Sequence, residues 1–280
     1  MSRRRLLLLI DFDETLTSTD TLSHLVATAY TLQGPDVLLP PWDYFSSTYL
    51  CDYDTYAKEF PAESRRTLEE ERRFLEGLRA VERASVERVE AAGVFRGLDR
   101  GVLVRDAAKI GGMMKEGWRE VVTGVVGSGG RAAVVSVNWS RAWIRECMVG
   151  VEGEVRVFAN EFVVGGEDGR LSGRLDRWFG GEDGGIWTAG DKVKVVRDFI
   201  GGGGQKEEEK ALVVYVGDSV TDLLCLLEAD VGVVFGRRLD DVCERLGVPI
   251  WDGLVAGNTG RGGLSRIGHW RELKAWIDTV

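Results

Sequence analysis

Two groups of carboxylates have the spacing to do chemistry. The first is Asp11-Phe12-Asp13-Glu14-Thr15, which follows an unbroken apolar run from Leu6 to Ile10. The second is Gly217-Asp218-Ser219-Val220-Thr221-Asp222, which follows Leu-Val-Val-Tyr-Val at 212–216. An acidic pair leaving a buried strand is costly unless positive charge compensates it. A divalent cation would do so, and hard oxygen donors of this kind suit Mg²⁺. Asp11 could then attack phosphorus as a carboxylate nucleophile. Asp13, two residues further along an extended strand end, can face the same cavity. There it could protonate a leaving oxygen and later deprotonate water. Asp218 and Asp222 lie one helical turn apart, which aims both at one point. The plain alternative for Asp11 is a strand-end aspartate that caps a turn.

These side chains need a frame. Leu6–Ile10 suits a strand buried on both faces of a parallel sheet, and 132–137, 212–216 and 231–235 have the same character. Helical patterns occupy 140–148, 192–200, 219–228 and 239–246. Strands alternating with helices predict an α/β fold with a doubly wound, mostly parallel sheet. Both acidic groups then leave the C-terminal ends of strands, where such sheets bind ligands. Residues from about 20 to 128 break this rhythm and read as a mostly α-helical insertion after the first strand. Within it, 64–92 is dense in Glu and Arg and predicts a solvated helix laced with i,i+4 pairs. Residues 155–164 and 169–175 predict a hairpin joined by a Gly-Gly-Glu-Asp-Gly turn. The Gly-rich stretch at 124–130 reads as a hinge leading to the second strand, and 201–210 as a surface excursion.

Composition narrows the function classes. The chain has 280 residues, 44% hydrophobic, with a formal net charge of −9. That balance argues against nucleic acid as the main partner, since phosphate contacts need a basic face. The four cysteines form no CxxC pair and there are two histidines, which argues against a zinc site or a disulfide framework and predicts buried free thiols. The apolar run before Asp11 is too short for a signal peptide, and no stretch approaches the ~20 apolar residues of a membrane span. The expectation is a cytoplasmic protein with no membrane partner.

Together the motifs resemble those of the haloacid dehalogenase-like (HAD) phosphohydrolases with a helical cap. Asp11, Asp13 and Thr15 match the first motif, Ser136 the second, Lys192 the third (with Lys194 as a less favoured substitute), and Asp218 and Asp222 the fourth. The resemblance implies a Rossmann-like core at 1–19 and 129–280 and a cap at 20–128. It implies a Mg²⁺-dependent phosphomonoesterase working through phospho-Asp11, with Asp13 as acid–base group. The metal ligands would be Asp11, Asp13 through its backbone carbonyl, Asp218 and Asp222, the last directly or through water. Ser136, Asn138 and Lys192 would hold the phosphoryl oxygens.

Two longer strings, Tyr215 to Gly232 and Ala159-Asn160-Glu161-Phe162, look like the HAD domain of the plant thiamine monophosphate phosphatases. That resemblance makes thiamine monophosphate the first expected substrate. Alternatives are another small phosphate (pyridoxal phosphate, a nucleotide, phosphoserine or a sugar phosphate) or a non-catalytic binding module on the same fold. The second motif, Ser136-Val137-Asn138-Trp139-Ser140, departs from the Ser-Gly-Gly of phosphoserine phosphatase. An acidic chain with nine Trp can hold a cationic aromatic body over an indole face. Candidate substrate contacts are Glu14, His24, Trp42 and Trp139. Trp118, Trp143, Trp251, Trp270 and Trp276 read as core.

Overall fold

In the computed structural model, which describes residues 5–151, 155–166, 168–176, 184–201, 211–254 and 262–280, β1 (Leu6–Ile10) is an interior strand of the main sheet. All five of its side chains are buried. Strand alternation sends Leu6, Leu8 and Ile10 into one core and Leu7 and Leu9 into another, one on each face. That is why the run is apolar throughout.

Among the described residues the sheet has seven strands, all paired in parallel, in the order β3-β2-β1-β6-β7-β9-β8. They are β2 (Arg131–Val135), β3 (Val155–Phe158), β6 (Leu212–Gly217), β7 (Val231–Phe235), β8 (Ile250–Asp252) and β9 (Leu264–Ile267). The remaining two strands, β4 (Phe162–Gly165) and β5 (Arg170–Leu175), form a separate antiparallel pair. The expected hairpin is thus divided. Its first half breaks at 159–161, so that Val155–Phe158 joins the main sheet as an edge strand and only Phe162–Gly165 pairs with β5.

Between β1 and β2 every regular element is helical: α1 (Leu22–Gln33), α2 (Trp42–Glu59), α3 (Leu68–Gly77), α4 (Arg79–Ala92), α5 (Arg100–Arg105), α6 (Trp118–Gly127), with 3₁₀ turns at Ala62–Ser64 and Asp106–Met113. The Glu- and Arg-rich stretch is two helices rather than one solvated rod. They meet at Leu78, and a Thr67/Glu70 capping box starts the first. Exposed i,i+4 pairs do occur, Glu69–Arg73 and Arg83–Glu87. Yet Phe74, Leu75, Val81, Val86 and Val89 are buried. Glu71 is also buried, held between Arg65 at 3.0 Å and Arg245 at 2.7 Å. Arg245 belongs to α10 (Asp240–Leu246), so this charge triplet ties α3 to the helices around the sheet.

The other helices are α7 (Arg141–Cys147), α8 (Ala189–Gly201), α9 (Leu223–Glu228) and α11 (Trp270–Ile277). The Gly-rich 124–130 stretch ends α6 and turns into β2. A Cβ on Gly130 would stand 2.6 Å from the Leu6 carbonyl oxygen, so only glycine lets the chain pass. Trp118, Trp143, Trp270 and Trp276 are buried as expected; Trp251, on the edge strand β8, is half-exposed. Cys147, Cys225 and Cys243 are buried, but Cys51 lies exposed on α2. Among the described residues no helix is long and apolar enough to cross a membrane. The excursion at 202–210 lies outside the described residues.

Candidate active site

β1 and β6 are neighbours with aligned ends: Ile10 lies opposite Val216, and the Asp11 N–H donates to the Val216 carbonyl at 2.9 Å. The two acidic motifs therefore emerge side by side. Carboxylate oxygens of Asp11, Asp218 and Asp222 lie within 4.8 Å of one another, and all three residues are buried.

Gly217 makes the second motif possible. A Cβ there would stand 2.5 Å from the Asp222 carboxyl carbon. With glycine in place, Asp222 Oδ2 folds back onto the backbone N–H groups of Asp218 and Ser219 and the Ser219 hydroxyl, each at 3.2 Å. Asp222 Oδ1 accepts from Lys192 and from the Tyr215 hydroxyl, both at 2.8 Å. Its two oxygens thus take five hydrogen bonds. Asp11 and Asp218 are less engaged. Asp11 Oδ1 accepts from Lys192 at 2.6 Å. Asp218 accepts from Thr15 Oγ1 and from Arg238, each at 3.2 Å.

Lys192 reaches the acids because α8 packs on the sheet face that Leu7, Leu9 and Tyr215 share. It is completely buried between Asp11 and Asp222. Lys194 points outward, 3.9 Å from Asp191. Asp191 Oδ2 accepts from the backbone N–H of Trp187 and of Thr188, each at 3.1 Å, which fixes the start of α8. Its other oxygen pairs with Arg79 of α4.

Asp13 faces a second set of partners. Its Oδ1 accepts from the Thr21 backbone N–H at 2.7 Å and from the Thr21 hydroxyl at 2.6 Å. Its Oδ2 accepts from Asn138 Nδ2 at 2.9 Å. Asn138 is positioned in turn by its N–H, which donates to Ser136 Oγ at 3.1 Å. Ser136 and Asn138 are buried at the end of β2, beside the β1 end. Glu14 has φ +58°, the one left-handed non-glycine among the described residues. Such a backbone costs of order 1–3 kcal/mol unless its surroundings hold it. Here the Thr17 hydroxyl accepts from its N–H at 3.0 Å and the Lys115 ammonium donates to its carbonyl.

The electrostatics are those of an acid cluster short of positive charge. Burial raises the Asp11 carboxyl well above the ordinary carboxylate range, and the Asp222 charge adds to this; Lys192 opposes both. Burial raises Asp13 as well, against its hydrogen bonds from Asn138 and Thr21. Burial and then the Asp222 charge push Asp218 up to about 6. Burial would lower Lys192, but the two carboxylates beside it win and hold it above its ordinary value. Three carboxylates facing one buried ammonium make a donor set that fits a hard divalent cation. Asp11 and Asp218 have the free coordinating capacity.

The raised Asp218 has a measurable consequence. Its ordinary value is about 3.9. Between about pH 4 and 6 the metal-free folded chain therefore holds a proton that the unfolded chain has released, and stability falls as pH rises through that window. Asp218→Asn lacks this titration. In metal-free thermal scans the variant should gain on the native chain between pH 4 and 6. A pH-independent difference would contradict the assignment.

Of the other expected residues, Trp42 and Trp139 come together edge-on at 6.3 Å, where the start of α2 meets the loop after β2. Trp139 also packs edge-on against Phe95. Glu14 pairs with Arg238. His24 is not brought to the acids; it lines a separate cleft of about 250 Å³ with Thr28, Asp106, Lys109 and Trp143. Sequence reasoning missed Lys115, Thr21, Tyr215 and Arg238. Only Tyr215 carried a signal, as a polar tip inside a buried apolar strand.

Comparison with known proteins identifies the family and the fold. The family model of the haloacid dehalogenase-like hydrolases matches residues 8–227. Cold tolerance protein 1 of Saccharomyces cerevisiae is 27% identical over 245 residues, covering 79% of this chain and 75% of that one. The mitochondrial bifunctional TH2 protein of Arabidopsis thaliana is 28% identical over 216 residues, 74% of this chain but 33% of that protein. A substrate-bound phosphoserine phosphatase has the same fold, with a TM-score of 0.55 at 17% identity over 99% of both chains. The chain belongs to the haloacid dehalogenase-like hydrolases.

Proposed function

We propose that the protein is a Mg²⁺-dependent phosphomonoesterase acting on a small phosphorylated metabolite. The observation that carries this reading is the convergence of Asp11, Asp218 and Asp222 within 4.8 Å of one another, around the Lys192 ammonium. Asp11 and Asp218, with the Asp13 backbone carbonyl, would hold the ion, and Asp222 would position Lys192 and close the loop. Bound there, Mg²⁺ would offset the acid cluster and withdraw charge from the phosphoryl oxygens.

The chain's own groups then divide the work. Asp11 Oδ2, which takes no hydrogen bond among the described residues, attacks phosphorus, the bond to the leaving oxygen breaks, and a phospho-Asp11 forms. Asp13, whose carboxyl is raised by burial, delivers the proton to that leaving oxygen. It next takes a proton from the water that hydrolyses the aspartyl phosphate. Lys192, Ser136 and Asn138 hold the equatorial oxygens, since phosphoryl transfer is chiefly positioning and charge stabilisation. Thiamine monophosphate is the first substrate to try. It is a primary phosphate ester on a cationic aromatic body, and Trp42, partly exposed and edge-on to the buried Trp139, puts an indole near the phosphate-holding loop.

The direct test is phosphate release from p-nitrophenyl phosphate with excess Mg²⁺ and with EDTA. Release with Mg²⁺ and none with EDTA is expected; no metal-dependent release by the purified chain rejects the reading. A panel of phosphorylated metabolites ranked by kcat/KM then tests the substrate. A bottom rank for thiamine monophosphate removes it.

A further inference from the structure

Glu82 is a recessed carboxylate that the chemistry above leaves unused. It lies on α4, three residues after Arg79, whose guanidinium pairs with Asp191 beside Lys192. Residues i and i+3 share a helix face, and one turn rises 5.4 Å. Glu82 therefore stands within a turn of a direct contact between the helical insertion and the helix that carries the active-site lysine. Tyr49 of α2 donates its hydroxyl to Glu82 Oε1 at 2.8 Å. Two turns earlier on α2 is Trp42, against Trp139.

Glu82 takes no other hydrogen bond and forms no ion pair among the described residues. Burial pushes its carboxyl up to about 7, against the Tyr49 hydrogen bond. A structural carboxylate in such a place normally has an Arg or Lys, as Glu71 has two. Position in the first turn of α4 favours the ionised form but supplies no partner. Glu82 is half-buried and not closed off from solvent.

We infer that Glu82, steadied by Tyr49, binds a positively charged or protonated nitrogen on the leaving-group side of the substrate. This rests on the phosphatase reading and adds to it the chemical class of what is released: a cationic alcohol. Tyr49 fixes one carboxylate oxygen and leaves the other to the ligand. Trp42 stands about two helical turns from Tyr49 along α2, where an aromatic part of the same ligand can reach it.

The test separates binding from turnover. Calorimetry with thiamine, which carries the cation without phosphate, compares the native chain with Glu82→Gln. The substitution keeps the shape and an acceptor for Tyr49 but removes the charge. Affinity should fall about 10- to 100-fold, as for loss of a charged hydrogen-bond partner. The unfolding midpoint should not fall, because a costly buried charge is gone. The ratio of kcat/KM for thiamine monophosphate to that for p-nitrophenyl phosphate should drop by a similar factor, and Glu82→Asp should restore part of it. Equal thiamine affinity in the two proteins, or none in the native chain, overturns the inference even where metal-dependent phosphate release is intact. Glu82-dependent thiamine binding without any phosphate release supports the inference and rejects the phosphatase instead.

Discussion

Asp11→Asn is expected to lower phosphate release by roughly 10⁴-fold or more, because the amide cannot form the covalent intermediate. The same change should leave the fold as stable as before or more stable. Asp11 is pressed by burial and by the charges of Asp222 and Asp218. Removing its charge relieves that repulsion, and Lys192 keeps Asp222 at 2.8 Å. Steady-state phosphate release and a metal-free thermal scan read the two effects on one sample. Full activity in Asp11→Asn ends the nucleophile assignment. A large fall in the unfolding midpoint shows instead that Asp11 is mainly structural.

Lys192→Met should do the opposite to stability while also abolishing activity. The methionine keeps the buried stem but leaves Asp11 and Asp222 without the ammonium that bridges them. Breaking a buried charge pair from one side costs about 3–5 kcal/mol. Asp11, already raised by burial and now without the opposing ammonium, would meet part of that cost by taking up a proton. Its value rises in the folded state, so the variant's stability should recover as pH falls from 8 towards 5.5. Urea unfolding of both chains at the two pH values measures this. A deficit equal at both would show that packing, not charge, is lost.

Much of this site was legible before the structure because it is locally encoded. An apolar run followed by Asp-x-Asp, and a second followed by Gly-Asp-x-x-x-Asp, place their acids at strand ends by sequence alone. The parallel pairing of β1 and β6 then brings them together. Lys192 was readable as a motif, and its preference over Lys194 follows from which face of α8 meets the sheet. The rest depended on distant partners. Lys115 reaches the Glu14 carbonyl across 101 positions, and Arg238 reaches Glu14 across 224. No periodicity announces such contacts. The edge strand β8 and its neighbour β9 are short, and pairing fixes them more than propensity does. The break at Leu78 escaped notice because the Glu and Arg pattern continues through it. Burial of Glu71 between two arginines is likewise a tertiary outcome.

That triplet bears on how the molecule breathes. Arg65, Glu71 and Arg245 are largely dehydrated, and separating them would strand charge in a dry place. A displacement of α3 must therefore carry α10 with it or leave the Glu71 carboxylate without its Arg245 partner in the dry interior.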